Sequence, residues 1–208
     1  MAQCDHVPMD DFLPPRTLGK GRTYVYLLPW REQDLLKVGY TRQPLVRLRT
    51  LHRRFFDVFD LERGLLLETE RLAQARRIER DIIVRHADQR SPAPLVVPDD
   101  AAGYSEWFRG ICPEVSEELA GFAAREGFVL HPLRDWLRAS FNEHTDRLYE
   151  WSLRMLEAVQ YEAFNVPAEW QRGEAVRSLR YAMDACEAVG LIPETLFPDS
   201  VMAWRRTV

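Results

Sequence analysis

Two apolar runs, TYVYLLPW (23–30) and LLKVGYT (35–41), lie only four residues apart, and the four between them, REQD, are polar. The first run is β-branched and aromatic in character, and Gly39 punctuates the second. Two such runs joined by a tight polar turn read as an antiparallel hairpin. A lone hairpin is marginal in water, so neighbouring elements must cover it.

The following residues supply that cover. Pro44 occupies a first helical position, with Thr41 or Gln43 near the cap. Leu45, Leu48, Leu51 and Phe55 then recur at helical spacing, with Arg47, Arg49, Arg53 and Arg54 between them. VFDLERGLLLE (58–68) reads as a third strand interrupted by Gly64, and 69–89 as a helix with the stripe Leu72, Ala75, Ile78, Ile82 and Ile83. SPAPLVVPDD (91–100) is too rich in proline for a regular element, and GYSEWFRG (103–110) returns to an aromatic, partly extended segment.

Beyond Pro113 the pattern is helical: 113–127, then 131–164 as one long helix or two shorter ones, then 167–190 opened by Pro167 and closed by Gly190. Trp136, Leu137, Trp151, Met155, Leu156 and Val159 form one expected apolar stripe, and Trp170, Leu179, Met183 and Val189 another. The expected organisation is an irregular arm over 1–22, an α+β unit over 23–112 with a small three-stranded antiparallel sheet flanked by helices, and an acidic all-helical region over 113–208.

Charge is divided unevenly. Residues 1–90 hold 17 Lys+Arg against 13 Asp+Glu, and residues 91–208 hold 11 against 19. From Lys37 to Arg54 there are six basic residues, Lys37, Arg42, Arg47, Arg49, Arg53 and Arg54, and no acid. Such a run suits a polyanion such as nucleic acid, or an ordinary solvated helix face. The C-terminal helices are open to a protein partner or to self-association, and His131 and His144 stand isolated there. No apolar run is long enough for a bilayer, the early acids do not fit a secretory signal, and Cys4, Cys112 and Cys186 have no ligand spacing. A cytoplasmic protein with reduced thiols and no membrane partner is expected.

The order strand, turn, strand, basic helix, strand, helix, aromatic close, from Tyr24 to about Phe108, resembles the GIY-YIG nuclease superfamily in its variant with a lysine in the second motif. Tyr24-Val25-Tyr26 resembles the first motif and Lys37-Val38-Gly39 the second. Arg47 lies eight residues after Gly39, at the place of the superfamily's catalytic arginine, and Glu79 lies midway along the next helix, at the place of its metal-binding glutamate. Gly103 to Phe108 resembles the G-x-EWF close of this variant, with Trp107 and Phe108 expected in the core.

The resemblance implies a metal-dependent endonuclease on DNA. Glu79 would hold a divalent ion, most suitably magnesium, Arg47 would clamp phosphate, and Tyr26 would orient water. Lys37 replaces a tyrosine of the second motif, which leaves it to touch phosphate and Tyr40 to supply a phenol. The superfamily often has His or Tyr four residues after the arginine. Here that position is Leu51, and His52 is turned from it by about 100°. Tyr24 and His52 are therefore secondary candidates. The competing expectation is a catalytically degenerate module that binds nucleic acid through the basic helix without cutting it.

Overall fold

The computed structural model describes residues 22–103 and 105–207, so the expected N-terminal arm and Cys4 lie outside the described residues. The hairpin forms as β1 (Thr23–Pro29) and β2 (Leu35–Thr41), and the strand runs through Gly39 rather than ending there. Next come α1 (Pro44–Leu51), with Pro44 in its first turn and Gln43 as its cap, and the short α2 (Phe55–Val58). They are followed by β3 (Leu65–Thr69), α3 (Leu72–Arg85), the short α4 (Asp99–Ala102) and β4 (Trp107–Arg109). Finally α5 (Cys112–Glu126), β5 (Val129–Pro132), α6 (Leu133–Glu143), α7 (Thr145–Asn165), α8 (Glu174–Ala188) and α9 (Asp199–Arg205) complete the described chain.

The sheet has five antiparallel strands in the order β4-β2-β1-β3-β5, not three. The third strand begins seven residues later than expected. The cause is Asp60, whose carboxylate accepts from the backbone N–H groups of Glu62 and Arg63 and bends 60–64 into a turn closed by Gly64 N–H to Asp60 O, 2.9 Å. β1 is central, and all seven of its residues are buried, so it shows no alternation of apolar and polar residues.

The two faces of the sheet carry different layers. Val25, Leu27, Leu36, Val38 and Leu67 pack with Ala75, Ile78 and Ile82 of α3 and Val115, Leu119 and Phe122 of α5. The other face presents Tyr24, Tyr26, Lys37 and Gly39, and α1 lies on this side, where Arg47 bonds Tyr26. Trp107 and Phe108 are fully buried, as expected.

The described chain divides into two compact units, one holding residues 22–137 and the other 138–207. The expected division at 112/113 falls inside the first turn of α5, a helix that packs on the sheet, and β5 after it joins the sheet beside β3. In the second unit α7 packs on α8 and α9, with Trp151, Met155, Leu179, Met183 and Val189 buried. The stretch 131–164 forms two helices, broken at His144, whose ring Nδ1 lies 2.8 Å from Ser140 O. Pro167 opens only a 3-10 turn, so Trp170 leaves the expected stripe and is 73% exposed. Among the described residues no helix is long and apolar enough to cross a membrane, and Cys112 and Cys186 are buried free thiols.

Candidate functional site

Gly39 sits opposite Tyr26 in the β1–β2 register. A Cβ at Gly39 would lie 2.2 Å from the Tyr26 hydroxyl, far inside any real contact. Glycine here is therefore the condition for the phenol to fold across its neighbouring strand. The buried hydroxyl accepts a hydrogen bond from Arg47 Nε at 3.1 Å. Burial pushes its pKa up to about 12, against the opposing pull of Arg47, so the phenol keeps its proton at neutral pH.

β4 pairs with β2 only as far as Lys37, with one more bond from Val38 N–H to Glu106 O at 2.9 Å. From Gly39 onward that side of β2 has no strand beside it among the described residues. At this open edge, groups from both faces approach each other. Glu79, on α3, is half-buried, and its pKa is pushed up to about 7, first by desolvation and then by the Glu106 carboxylate. Lys37, Arg47 and Arg76 pull it the other way. Among the described residues Glu79 forms no ion pair or hydrogen bond. Tyr26 feels both Glu79 and Glu106. Arg47, Tyr26 and Glu79 thus share one electrostatic neighbourhood.

Lys37 corrects an expectation. Its side chain is wholly buried, so it is not an exposed phosphate contact. The ammonium donates to Ala102 O at 2.7 Å and to Glu106 Oε2 at 2.8 Å, and lies 5.1 Å from the centre of the Trp107 ring. Burial lowers its pKa, with Glu106 opposing. Arg47 Nη2 donates to Ala101 O at 3.1 Å. Two successive carbonyls at the end of α4 are therefore held by the two basic residues of the site. Gly103 follows with φ +68°, and a Cβ there would lie 2.6 Å from Glu106 Oε2. Glycine is needed both for the backbone angle and for the closeness of the carboxylate.

The remaining candidates are dispersed. Tyr40 accepts from Arg76 Nε at 3.0 Å beside the open edge. Tyr24 packs edge-on to Trp136 at 5.5 Å and lies near Glu68 and Arg22, away from Arg47. His52 ends α1, and its Nδ1 accepts from Arg54 N–H at 3.2 Å. Leu51 is buried. Arg42 and Arg53 are exposed, Arg49 is half-buried, and Arg54 pairs with Asp57 and covers the Phe56 ring at 4.7 Å. His131 is not isolated: its Nε2 lies 3.0 Å from Glu68 Oε2.

Sequence reasoning missed Glu106 and Arg76. Glu106 stands inside a quoted motif, and its place before two core aromatics was the available signal. The arginines of α3 divide by partner. Arg77 pairs with Glu126 and Arg85 with Glu118, both acids on α5, whereas Arg76 faces Tyr40 and the site.

Comparison with family models matches residues 21–124 to the T5orf172 domain, half the length of the chain. Comparisons with curated proteins and with solved structures return no match. The matched span takes in the hairpin, Arg47, Glu79 and the close at Glu106 to Phe108, and on that match the chain belongs to the T5orf172 domain family.

Proposed function

We propose that the protein is a metal-dependent endonuclease that hydrolyses phosphodiester bonds in DNA, with Arg47, Tyr26 and Glu79 as its reacting group. One observation carries the reading: a guanidinium bonded to a buried phenol at an open sheet edge, with a carboxylate of raised pKa coupled to both. The T5orf172 domain is related to GIY-YIG/HNH-like endonuclease folds, and nuclease activity or nucleic-acid binding is compatible with it.

The chemistry assigns the roles. Arg47 offers a planar fork to phosphoryl oxygens. Tyr26 accepts from Arg47 Nε, so its own proton points elsewhere, and with a pKa near 12 it orients a water rather than deprotonating it. Glu79 suits a divalent cation, because its half-buried carboxylate has no hydrogen-bonded or ion-pair partner among the described residues and holds protons tightly. A single carboxylate donor suits magnesium, which accepts one carboxylate and keeps its waters. Such an ion supplies Lewis acidity at the phosphoryl and leaving oxygens.

The test is cleavage of plasmid DNA with magnesium, with and without chelator. Arg47→Ala and Glu79→Ala are each expected to lower cutting by about 100-fold or more, the scale of losing one charge-stabilising group, while retaining wild-type circular dichroism. If both variants cut at the wild-type rate, the assigned site is wrong. The second reading, binding without cutting, draws on the fact that Arg47 and Lys37 already hold α4 carbonyls. Salt-sensitive binding with no metal-dependent cleavage would favour it.

A further inference from the structure

Two arginine–phenol pairs meet at consecutive residues of the open edge of β2, and only one of them belongs to the reacting group. The Tyr26 hydroxyl lies over Gly39, where a Cβ would come within 2.2 Å of it, and it accepts from Arg47. The next residue, Tyr40, points to the other face of the sheet, because side chains alternate along a strand. There it packs against the cluster that includes Ala75 and Ile78 of α3, and its hydroxyl accepts from Arg76 Nε at 3.0 Å. The Arg76 guanidinium carbon lies 5.7 Å from the centre of the Tyr40 ring, within cation–π range. Arg47 thus comes to the edge from the α1 side and Arg76 from the α3 side. From Gly39 onward no strand lies beside β2 on that side among the described residues.

Arg76 also departs from a local rule. Glu79 follows it by three residues on α3, the spacing at which an arginine and a glutamate ordinarily pair on a helix surface. Here they do not pair. Arg76 is tied to a neutral phenol, and Glu79 has no ion-pair or hydrogen-bond partner among the described residues, although its carboxylate feels both Arg47 and Arg76. Other arginines of α3 behave differently: Arg77 is neutralised by Glu126 and Arg85 by Glu118. The exposed Arg76 has no ion pair among the described residues. A guanidinium carries five N–H donors. Tyr40 takes the one at Nε, which fixes the plane and leaves the two terminal nitrogens as a fork. Such a fork matches phosphoryl oxygens. A DNA strand offers phosphate after phosphate, so one that passes Arg47 on one face meets Arg76 as it leaves by the other.

Resting on the reading of the protein as acting on DNA, we infer that Arg76 is a second phosphate clamp: aimed by the Tyr40 hydroxyl, it grips a phosphate adjoining the one held at Arg47, and the strand crosses the open edge of β2 from one face of the sheet to the other. Arg76 contacts the substrate, and Tyr40 is a positioning residue that acts through it.

The test uses the full chain with chelator, so that nothing is cut, and measures its affinity for a fluorescently labelled DNA duplex over a series of salt concentrations. The variants are Arg76→Gln, Arg77→Gln and Tyr40→Phe. Arg76 and Arg77 are exposed and Tyr40 is half-buried, so unchanged thermal midpoints are expected. Each phosphate contact contributes about −0.9 to the slope of log affinity against log salt. Arg76→Gln should flatten the slope by about that amount and weaken binding about tenfold, the scale of one hydrogen-bonded charge. Arg77→Gln should keep the wild-type slope, since Glu126 already matches its charge. Tyr40→Phe keeps the charge and should keep the slope, yet weaken binding by a few fold because the fork is no longer held. If Arg76→Gln retains the wild-type slope, or Arg77→Gln flattens it equally, the clamp is overturned and DNA binding stands. If Tyr40→Phe binds as tightly as wild type, the positioning role of Tyr40 is overturned. If wild type binds no DNA, the clamp and the reading beneath it fall together.

Discussion

Glu79 holds a proton over a pH range in which an ordinary glutamate has lost it. Its pKa is pushed from 4.5 to about 7 by burial and by Glu106. Between those values the folded chain retains a proton that the unfolded chain has released. The corresponding stability is therefore fully present below about 4.5 and is lost as pH rises through about 7. Glu79→Gln removes this titration. Without metal, the wild-type midpoint should fall relative to the variant's by roughly 2–4 °C between about pH 5 and about pH 8, equivalent to about 1 kcal/mol once screening at a half-buried group is allowed for. Scanning calorimetry at both pH values checks this, and parallel curves would contradict it. In wild type, metal-dependent cleavage should rise through the same range as the carboxylate is freed. That Arg47, Tyr26 and Glu79 would lie near one another was legible from the order of hairpin, basic helix and next helix, and the Arg47–Tyr26 bond and the coupling of Tyr26 to Glu79 agree with that placement. The burial of Lys37 was not legible, because it depends on Glu106 and Ala102, 69 and 65 residues away.

The elements were legible in proportion to their length and periodicity. The β1–β2 hairpin and helices α1, α3 and α5 stand where runs and caps place them. β5 was hidden: Val129–Pro132 is four residues long and contains His131 and a terminal proline, which fits an edge strand and gives no alternation to detect. β4 mattered for the site more by where it stops than by its own sequence, since its short pairing leaves β2 open from Gly39. Gly39→Ala tests how β1 and β2 position the phenol. The added methyl would meet Tyr26 at its hydroxyl, Cζ and Cε2 atoms, 2.2 to 2.9 Å away, and the buried ring has little freedom to yield. The expected cost is about 1–3 kcal/mol from overpacking, read as a shift in the urea midpoint. Loss of the Arg47 contact to Tyr26 should also bring a fall in cleavage greater than the unfolded fraction explains. A variant as stable and active as wild type would show that the strand crossing is looser than this packing requires.

At the scale of the whole molecule, charge and compactness divide the chain at different places. Split at 90/91, the sequence separates into strongly basic and strongly acidic parts. By compact unit, residues 22–137 hold 18 Lys+Arg against 18 Asp+Glu, and 138–207 hold 8 against 11, a net of 0 and −3. The contrast weakens because α5 brings Glu114, Glu117, Glu118 and Glu126 into the sheet unit, where Glu118 and Glu126 pair with arginines of α3. A helix rich in acid reads from composition as part of an acidic region, yet its apolar stripe commits it to the sheet. Truncation separates these two descriptions. A chain ending at 112 lacks Val115, Leu119 and Phe122, which are buried beneath β1 and α3, and it lacks β5, which pairs with β3. Losing three such side chains costs several kcal/mol, comparable to the whole stability of a small domain, so this fragment is expected not to fold. A chain ending at 143 keeps the entire sheet unit and all of α6. It should melt cooperatively and, on the proposed function, cut DNA with magnesium as the full chain is expected to. Circular dichroism melts of the two fragments decide the matter: a cooperative transition in the shorter one would show that α5 and β5 are dispensable to the sheet.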